Sequence, residues 1–327
     1  MNDYLALALG VVCAGVGGEL FVRGTVSLAG WLRIAPGIVG ATVAAFATSS
    51  PELAVSITAA VSGKPQISLG DVLGSNVVNV ALLLGIALCF SGISCSKGSL
   101  KRDLPLALIA PILTGLLILD GVLSRLDGAA LLLVFFGWCT ATILEVRRQQ
   151  SEAGDVLGTH HPNRIALLCI AGLVFLIAAG SLIVIGARGI GLAFGIPEFV
   201  IGATVVALGT STPELATILI AKFRGHDEVG LGTVLGSNIF NGFAILGSAA
   251  MICPIAVELT PVMVALGFGI VALIFTFPSG DGYLSRRRGI VLLCLYAVYV
   301  LAVLQMGEGP EANREVLGMV NDPAAKF

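Results

Sequence analysis

Charged residues are scarce in this chain: Asp, Glu, Lys and Arg make up 12% of its 327 residues. Soluble globular domains carry roughly 25%. With 57% hydrophobic residues and a mean hydropathy of +1.00, the composition excludes a soluble globular protein and indicates a membrane protein. Neither sign of charge dominates, since 18 basic residues stand against 20 acidic ones. That balance leaves no basic patch for nucleic acid. Histidine is nearly absent, and His160, His161 and His226 all fall in polar loops. With no intramembrane histidine and no nucleophile–base pair, an intramembrane enzyme is not indicated, and no cofactor is expected. The seven cysteines are an odd number, lie mostly in apolar runs and form no CxxC pair with matching histidines. Neither a zinc site nor a disulfide framework is therefore indicated, and the thiols read as small buried hydrophobes. A basic leader is missing too: Asp3 is the first charge, and the first apolar run extends to about residue 30. It reads as a retained span, not a cleaved signal peptide.

What the chain has is apolar length. Spanning helices need roughly 20 predominantly apolar residues. Ten such runs lie near 4–30, 37–62, 67–91, 104–122, 126–146, 165–190, 199–222, 229–253, 259–277 and 289–306. The fold class expected is all-α and polytopic. The most polar connector, between 146 and 164, separates two groups of five, and the tail from Gly307 is polar. The expected units are 1–147, a linker at 148–163, a second half at 164–306 and a tail at 307–327. Basic residues gather in alternate loops: Arg33; Lys97, Lys101 and Arg102; Arg147, Arg148 and Arg164; Lys222 and Arg224; and Arg286, Arg287 and Arg288. The opposite loops hold little beyond Lys64, Arg125 and Arg188. Basic loops stay in the cytoplasm. This puts loop 147–164 inside and both termini outside the cytoplasm.

The strongest signal is internal repetition. Residues 40–85 read "GATVAAFATSSPELAVSITAAVSGKPQISLGDVLGSNVVNVALLLG", and residues 202–247 read "GATVVALGTSTPELATILIAKFRGHDEVGLGTVLGSNIFNGFAILG". The copies align without a gap at an offset of 162, with about half the positions identical. Upstream, Gly18 and Gly24 match Gly180 and Gly186. Five spans separate the copies, and an odd number makes the second enter the membrane from the opposite side. Inverted repeats of this kind place a substrate site near the bilayer midplane.

Within each copy the chain breaks itself around an acid. Pro51 and Pro213 lack an N–H, so carbonyls around Ala47 and Gly209 lose their helical donors and the helix is expected to be discontinuous. Freed carbonyls inside a membrane must line a cavity or be buried in protein. Glu52 and Glu214 follow the prolines directly, and an intramembrane acid marks a functional site by default. Glu52 lies about 12 residues from the 63–66 turn, or ~18 Å at 1.5 Å per residue. Thr48, Ser49, Thr210 and Ser211 add hydroxyls beside the breaks. On the partner helix, Ser75 and Asn79 share one face, as do Ser237 and Asn241. Gly70/Gly74 and Gly232/Gly236 have the spacing that lets membrane helices approach closely. Carboxylate, hydroxyl, amide and carbonyl oxygens are the ligands of hard cations. Two carboxylates neutralise one divalent cation, or accept two or three monovalent ones with little residual charge. Competition between those loadings is a physical route to antiport.

At these residues the sequence resembles the sodium/calcium exchanger family of the calcium:cation antiporters, a prokaryotic-type member. The stretches "TSSPEL" and "TSTPEL", each followed by "GSNxxN", are similar to its α-repeats, and the likeness covers nearly the whole chain. The resemblance implies exchange of several Na⁺ for one Ca²⁺ by alternating access, in the prokaryotic inner (plasma) membrane. It implies that Glu52 and Glu214 bridge both ions and that the Thr48 and Thr210 carbonyls complete the Ca²⁺ shell. It assigns Ser49, Ser75, Ser211, Ser237, Asn79, Asn241 and the Ala45 and Ala207 carbonyls to Na⁺. Partners would be these ions and the lipid bilayer, with a monomer compatible. Two positions depart from the pattern. Ala47 stands where the motif has glycine, as at Gly209, and both final motif positions are Asn where some microbial members have one Asp. A Ca²⁺/H⁺ exchanger using the same glutamates is the alternative reading, and a passive cation channel is a third. Asp71, opposite Thr233 in the repeat, reads as a charge on the helix macrodipole. Glu19 and Arg23, four apart on the first span, are expected to pair or to take part in gating.

Overall fold

A computed structural model describes residues 2–95, 99–152, 162–193, 209, 211–278 and 282–307. Lys97, His160, His161, Ala207, Thr210 and the tail beyond 307 lie outside the described residues. The described residues are mainly helical. Helix α1 (Asp3–Leu32) starts where the Asn2 side chain accepts the Tyr4 N–H at 3.0 Å and ends at Arg33 in a left-handed cap. Asp3 in its first turn suits the positive end of the dipole.

The second span is broken, as its proline predicts. It runs through α2 (Pro36–Val39), a π-helical segment at Gly40–Ala44 and α3 (Ala45–Thr48). It then bends by 47° into α4 (Ser50–Val61). The turn after α4 needs a positive φ at Gly63 (72°), which glycine adopts without steric cost. Next come α5 (Pro65–Val77), a π segment at Val78–Leu84 and α6 (Gly85–Phe90). After strand β1 (Ile93–Ser94) and a π turn at Ser99–Asp103 follow α7 (Leu104–Leu117), β2 (Val122–Leu123) and α8 (Arg125–Glu152). The later residues give α9 (Pro162–Ala193), α10 (Thr212–Phe223), α11 (Asp227–Ile239), a π segment at Phe240–Ile245 and α12 (Leu246–Ile252). Strand β3 (Ile255–Ala256), α13 (Leu259–Phe275), β4 (Tyr283–Leu284) and α14 (Arg286–Gly307) complete the chain. Helices α4 and α10 differ in numbering by 162 at both ends, as do α5 and α11. Strand β1 pairs with β4 and β2 with β3, so each short sheet joins an early segment to a late one.

Among the described residues, six helices are long and apolar enough to cross a membrane, or seven if the bent pair counts as one span. The other expected spans correspond to shorter helices: α7, α13 and α10, whose expected front half lies outside the described residues. Helix α8 also runs on to Glu152, beyond the expected end near 146.

Burial runs from a polar centre to an apolar rim. All of the most apolar window in Asp227–Ile252 is buried and 72% of that in Pro65–Phe90, against 33% or less for α1, α8, α9 and α14. The buried central span has the lowest mean hydropathy of the six, since lipid solvates the apolar outer helices. Helices α1 and α9 run antiparallel in close contact. A Cβ on Gly10, Gly17 or Gly24 would lie 3.0, 2.9 or 2.8 Å from the α9 backbone nitrogens of Ile183, Leu176 and Cys169. Gly232 and Gly236 let α11 approach the broken span; a Cβ at 236 would stand 2.1 Å from the Ala41 carbonyl oxygen. Gly70 and Gly74 meet no described atom within 4 Å, and the segment matching Gly37–Ala41 in the repeat, 199–203, lies outside the described residues. Six cysteines are half-buried and Cys294 is exposed, so the thiols are less buried than expected.

The two central helices are clasped by backbone–amide bonds. Asn238 Nδ2 donates to the Asn76 carbonyl at 3.2 Å and Asn76 Nδ2 to the Asn238 carbonyl at 3.5 Å. These residues are 162 apart, so the pair is reciprocal.

Substituting Gly236→Ala is expected to lower stability by at least about 1–3 kcal/mol, because a backbone carbonyl cannot yield as a side chain can. Gly137→Ala, where a Cβ meets nothing within 4 Å, should be neutral. Thermal unfolding in detergent followed by size-exclusion chromatography checks both. In the same assay Asn238→Ala and Asn76→Ala should each cost about 1–2 kcal/mol. The double variant should lose less than the sum, since the two share one clasp.

Candidate cation-binding site

Glu52 and Glu214 occupy the first turns of α4 and α10, immediately after Pro51 and Pro213. Each proline starts a fresh helix where its missing N–H costs nothing. The dipole of that helix then favours the acid at its N-terminus. Both side chains are buried at 1% exposure. Ser49 Oγ donates to Glu214 Oε1 at 3.2 Å, and Ser237 Oγ donates to the same oxygen at 3.4 Å. The Thr48 hydroxyl also reaches this carboxylate. A glutamate of the second repeat is thus held by hydroxyls of both repeats, Ser49 of the first and Ser237 of the second. Glu214 and Asp71 are the charged groups that act on Glu52.

The remaining oxygens are left without partners. Glu52 Oε2, Glu214 Oε2, Ser211 Oγ, Asn79 Oδ1 and Asn241 Oδ1 are buried and accept or donate no hydrogen bond. No described Lys or Arg pairs with either glutamate. Buried polar atoms cost free energy unless paired, and a cluster of them is costlier still. Oxygens of these kinds are the ligands that hard cations take. No group of three or more His, Cys, Asp or Glu gathers among the described residues, so neutral oxygens must supply most of any ligand shell.

Ala45, Thr48, Ser49, Ser75, Asn79, Ser211, Ser237 and Asn241 are all 3% exposed or less. Ala207 and Thr210 lie outside the described residues. Asn79 and Asn241 sit within the π segments, which are common at functional sites. Two carbonyls at the first break are less free than the proline alone suggests. Ser50 Oγ donates to the Ala47 carbonyl at 2.7 Å, replacing the missing N–H. The Ala45 carbonyl accepts Ser49 N at 2.9 Å and Thr48 Oγ at 3.4 Å. Sequence reasoning overlooked Ser50 and the Asn76–Asn238 clasp. The repeated last letter of "GSN" and the hydroxyl before each proline were the available signals.

The Ala47/Gly209 difference also has a geometric reason. A Cβ on Gly209 would lie 2.0 Å from Val184 Cγ2, while Ala47 packs against the cluster around Phe21 and Leu176. Helix α9 therefore crowds its break more than α1 crowds the first. A cavity of about 370 Å³ touches both breaks, lined by Pro51, Gly180, Ser181, Val184, Gly209 and Pro213 among others. Midway along α1, Glu19 accepts from Arg23 and also from Arg224 at 2.8 and 2.6 Å. The expected Glu19–Arg23 pair is present, and it ties α1 to the residue that caps α10.

Comparison with known proteins agrees with this architecture. The family model for sodium/calcium exchanger protein matches residues 3–144 and 164–305. A putative antiporter, CaxA of Alkalimonas amylolytica, is 35% identical over 72% of this chain and 76% of its own. Sodium/calcium exchanger MaX1 of Methanosarcina acetivorans is 29% identical over 92% of this chain and 98% of its own. A solved structure of the sodium-calcium exchanger NCX_Mj, soaked with Na⁺ and Sr²⁺, superposes with a TM-score of 0.79 at 29% identity, covering 91% of this chain and 98% of that one. The chain belongs to the sodium/calcium exchanger family: it is an integral membrane cation/Ca²⁺ antiporter and not an enzyme.

Proposed function

We propose that the chain exchanges Ca²⁺ for Na⁺ by alternating access at a midplane site between two inverted halves. The observation that carries this reading is the pair of buried glutamates with unpartnered oxygens that no described Lys or Arg pairs with. Two negative charges are neutralised by one Ca²⁺. They are also satisfied by two or three Na⁺, so either cargo repairs the same deficit and excludes the other. Hydroxyl and amide oxygens suit both ions, because hard cations take oxygen ligands. The names of the exchangers MaX1 and NCX_Mj support Na⁺ as the coupling ion. Glu52 and Glu214 bridge Ca²⁺ and Na⁺ in this reading. The Thr48 and Thr210 carbonyls complete the Ca²⁺ shell, and Ser49, Ser75, Ser211, Ser237, Asn79, Asn241 and the Ala45 and Ala207 carbonyls serve Na⁺.

The same reading has ten spans in two five-helix halves, 1–147 and 164–306, with the second and seventh spans discontinuous. The 162-residue offset between matching helices supports it, as do the two mixed strand pairs. The loop charges support a cytoplasmic linker at 148–163 and both termini on the far side of a prokaryotic inner membrane.

In proteoliposomes, an outward Na⁺ gradient is expected to drive ⁴⁵Ca²⁺ uptake that responds to membrane potential. Uptake that follows a pH gradient and ignores Na⁺ would instead establish the Ca²⁺/H⁺ reading. Glu52→Gln and Glu214→Gln should each cut exchange at least about a hundredfold, since losing one partner of a buried charge pair costs about 3–5 kcal/mol. Full activity in either variant overturns the assignment of the glutamates.

A further inference from the structure

We propose that Ser56, Ser68 and Asp71 form an outer site for a monovalent alkali cation, lying between Glu52 and the membrane face that carries the 62–64 turn. It rests on the reading of Glu52 and Glu214 as the central site, and it exists in the first half only.

The placement follows from helix geometry. Ser56 is four residues after Glu52 and shares its face, and both are fully buried. Ser68, Asp71 and Ser75 fall within an arc of about 60° on α5 at 100° per residue, so they form one stripe. Helices α4 and α5 are packed antiparallel through the Gly63 turn. Ser56 lies five residues from the end of α4 and Asp71 six residues from the start of α5. At 1.5 Å per residue both stand ~8–9 Å inside that face, while Glu52 stands ~14 Å inside.

The second half shows how these positions meet. Ile218 and Gly230 occupy the places of Ser56 and Ser68. A Cβ on Gly230 would lie 3.1 Å from Ile218 Cγ1, so the isoleucine fills the gap between the helices. Thr233 replaces Asp71 and turns its hydroxyl back to the Val229 carbonyl at 2.8 Å. The second half is therefore plugged with hydrocarbon. In the first half the plug is exchanged for two hydroxyls and a carboxylate.

Each of those polar groups keeps an oxygen without a partner. Ser56 Oγ, Ser68 Oγ and Asp71 Oδ2 are buried without a hydrogen-bond partner, and both serines are 0% exposed. Asp71 also acts electrostatically on Glu52. A macrodipole role does not account for it, because Asp71 is the seventh residue of α5 and that effect fades within the first turn. One carboxylate with neutral oxygens balances a monovalent cation; a divalent one would leave a positive charge unpaired in a low-dielectric setting. The site thus differs in valence from the central pair and stages a single Na⁺-like ion on its way in.

Asp71→Thr copies the second half's own residue, and Ser56→Ile with Ser68→Gly copies its plug, so both reuse packing the chain already tolerates. In proteoliposomes sorted by orientation, each is expected to raise the half-saturating Na⁺ concentration about three- to tenfold on the face of the 62–64 turn. The opposite face should be unchanged. Equal shifts on both faces, or none, overturn the outer site. A second measurement separates this from the central reading. In purified E52Q/E214Q protein, ²³Na relaxation should still report Na⁺ binding, and Asp71→Thr should remove it. No binding in E52Q/E214Q refutes the outer site whatever ion couples exchange, whereas active Glu52→Gln protein refutes only the central assignment.

Discussion

Two buried carboxylates that no described Lys or Arg pairs with are the constraint on which the rest depends. Their burial is the costliest item in the molecule, and the surrounding structure is arranged to make it bearable. The proline breaks put each acid at the positive end of a fresh helix. Ser49 and Ser237 then bring hydroxyls from both repeats to Glu214. The π segments carry Asn79 and Asn241 within the buried core. Apolar side chains are spent outward on lipid, which is why the central span is the least hydropathic of the six. The oxygens without partners are what a cargo ion would complete in the proposed exchange.

Much of this was legible in the sequence because the repeat wrote it twice. A buried acid after a proline is ambiguous in one copy; two copies at a fixed offset leave little room for accident. The turn at Gly63, the break at Pro51 and the burial of Ser75, Ser237, Asn79 and Asn241 all follow from letters in the motif. The π segments did not show, because inserting one residue into a helix leaves no periodic signature in so uniformly apolar a run. The Asn76–Asn238 clasp was hidden for another reason. Its asparagines bond to each other's backbone across the two halves, and only the relative placement of the halves brings them together. Ser50 was passed over because its hydroxyl repairs the proline break locally, which needs a rotamer to see. The macrodipole reading of Asp71 failed on helix register: the helix begins at Pro65, too far upstream.

The repeats match in the bounds of α4/α10 and α5/α11 and differ in side chains at about half their aligned positions, and that pattern has a physical consequence. If the two halves were identical and inverted, the states open to either face would be equal in energy by symmetry. A ligand can bias such an equilibrium only through differential affinity for the two states. Residues that differ between the halves therefore set the intrinsic bias and the affinity at each face. In this chain several of the differences stand on the broken span or on the helices that carry and flank the glutamates: Ala47 against Gly209, Ser56 against Ile218, Ser68 against Gly230 and Asp71 against Thr233. Glu214 sits among donated hydroxyls and beside an α9 that crowds its break, whereas Glu52 looks toward an unplugged polar stripe. An exchanger working against unequal ion concentrations on its two sides gains from that inequality. The repeat supplies a shared site, and the departures from the repeat decide which face reaches it more readily.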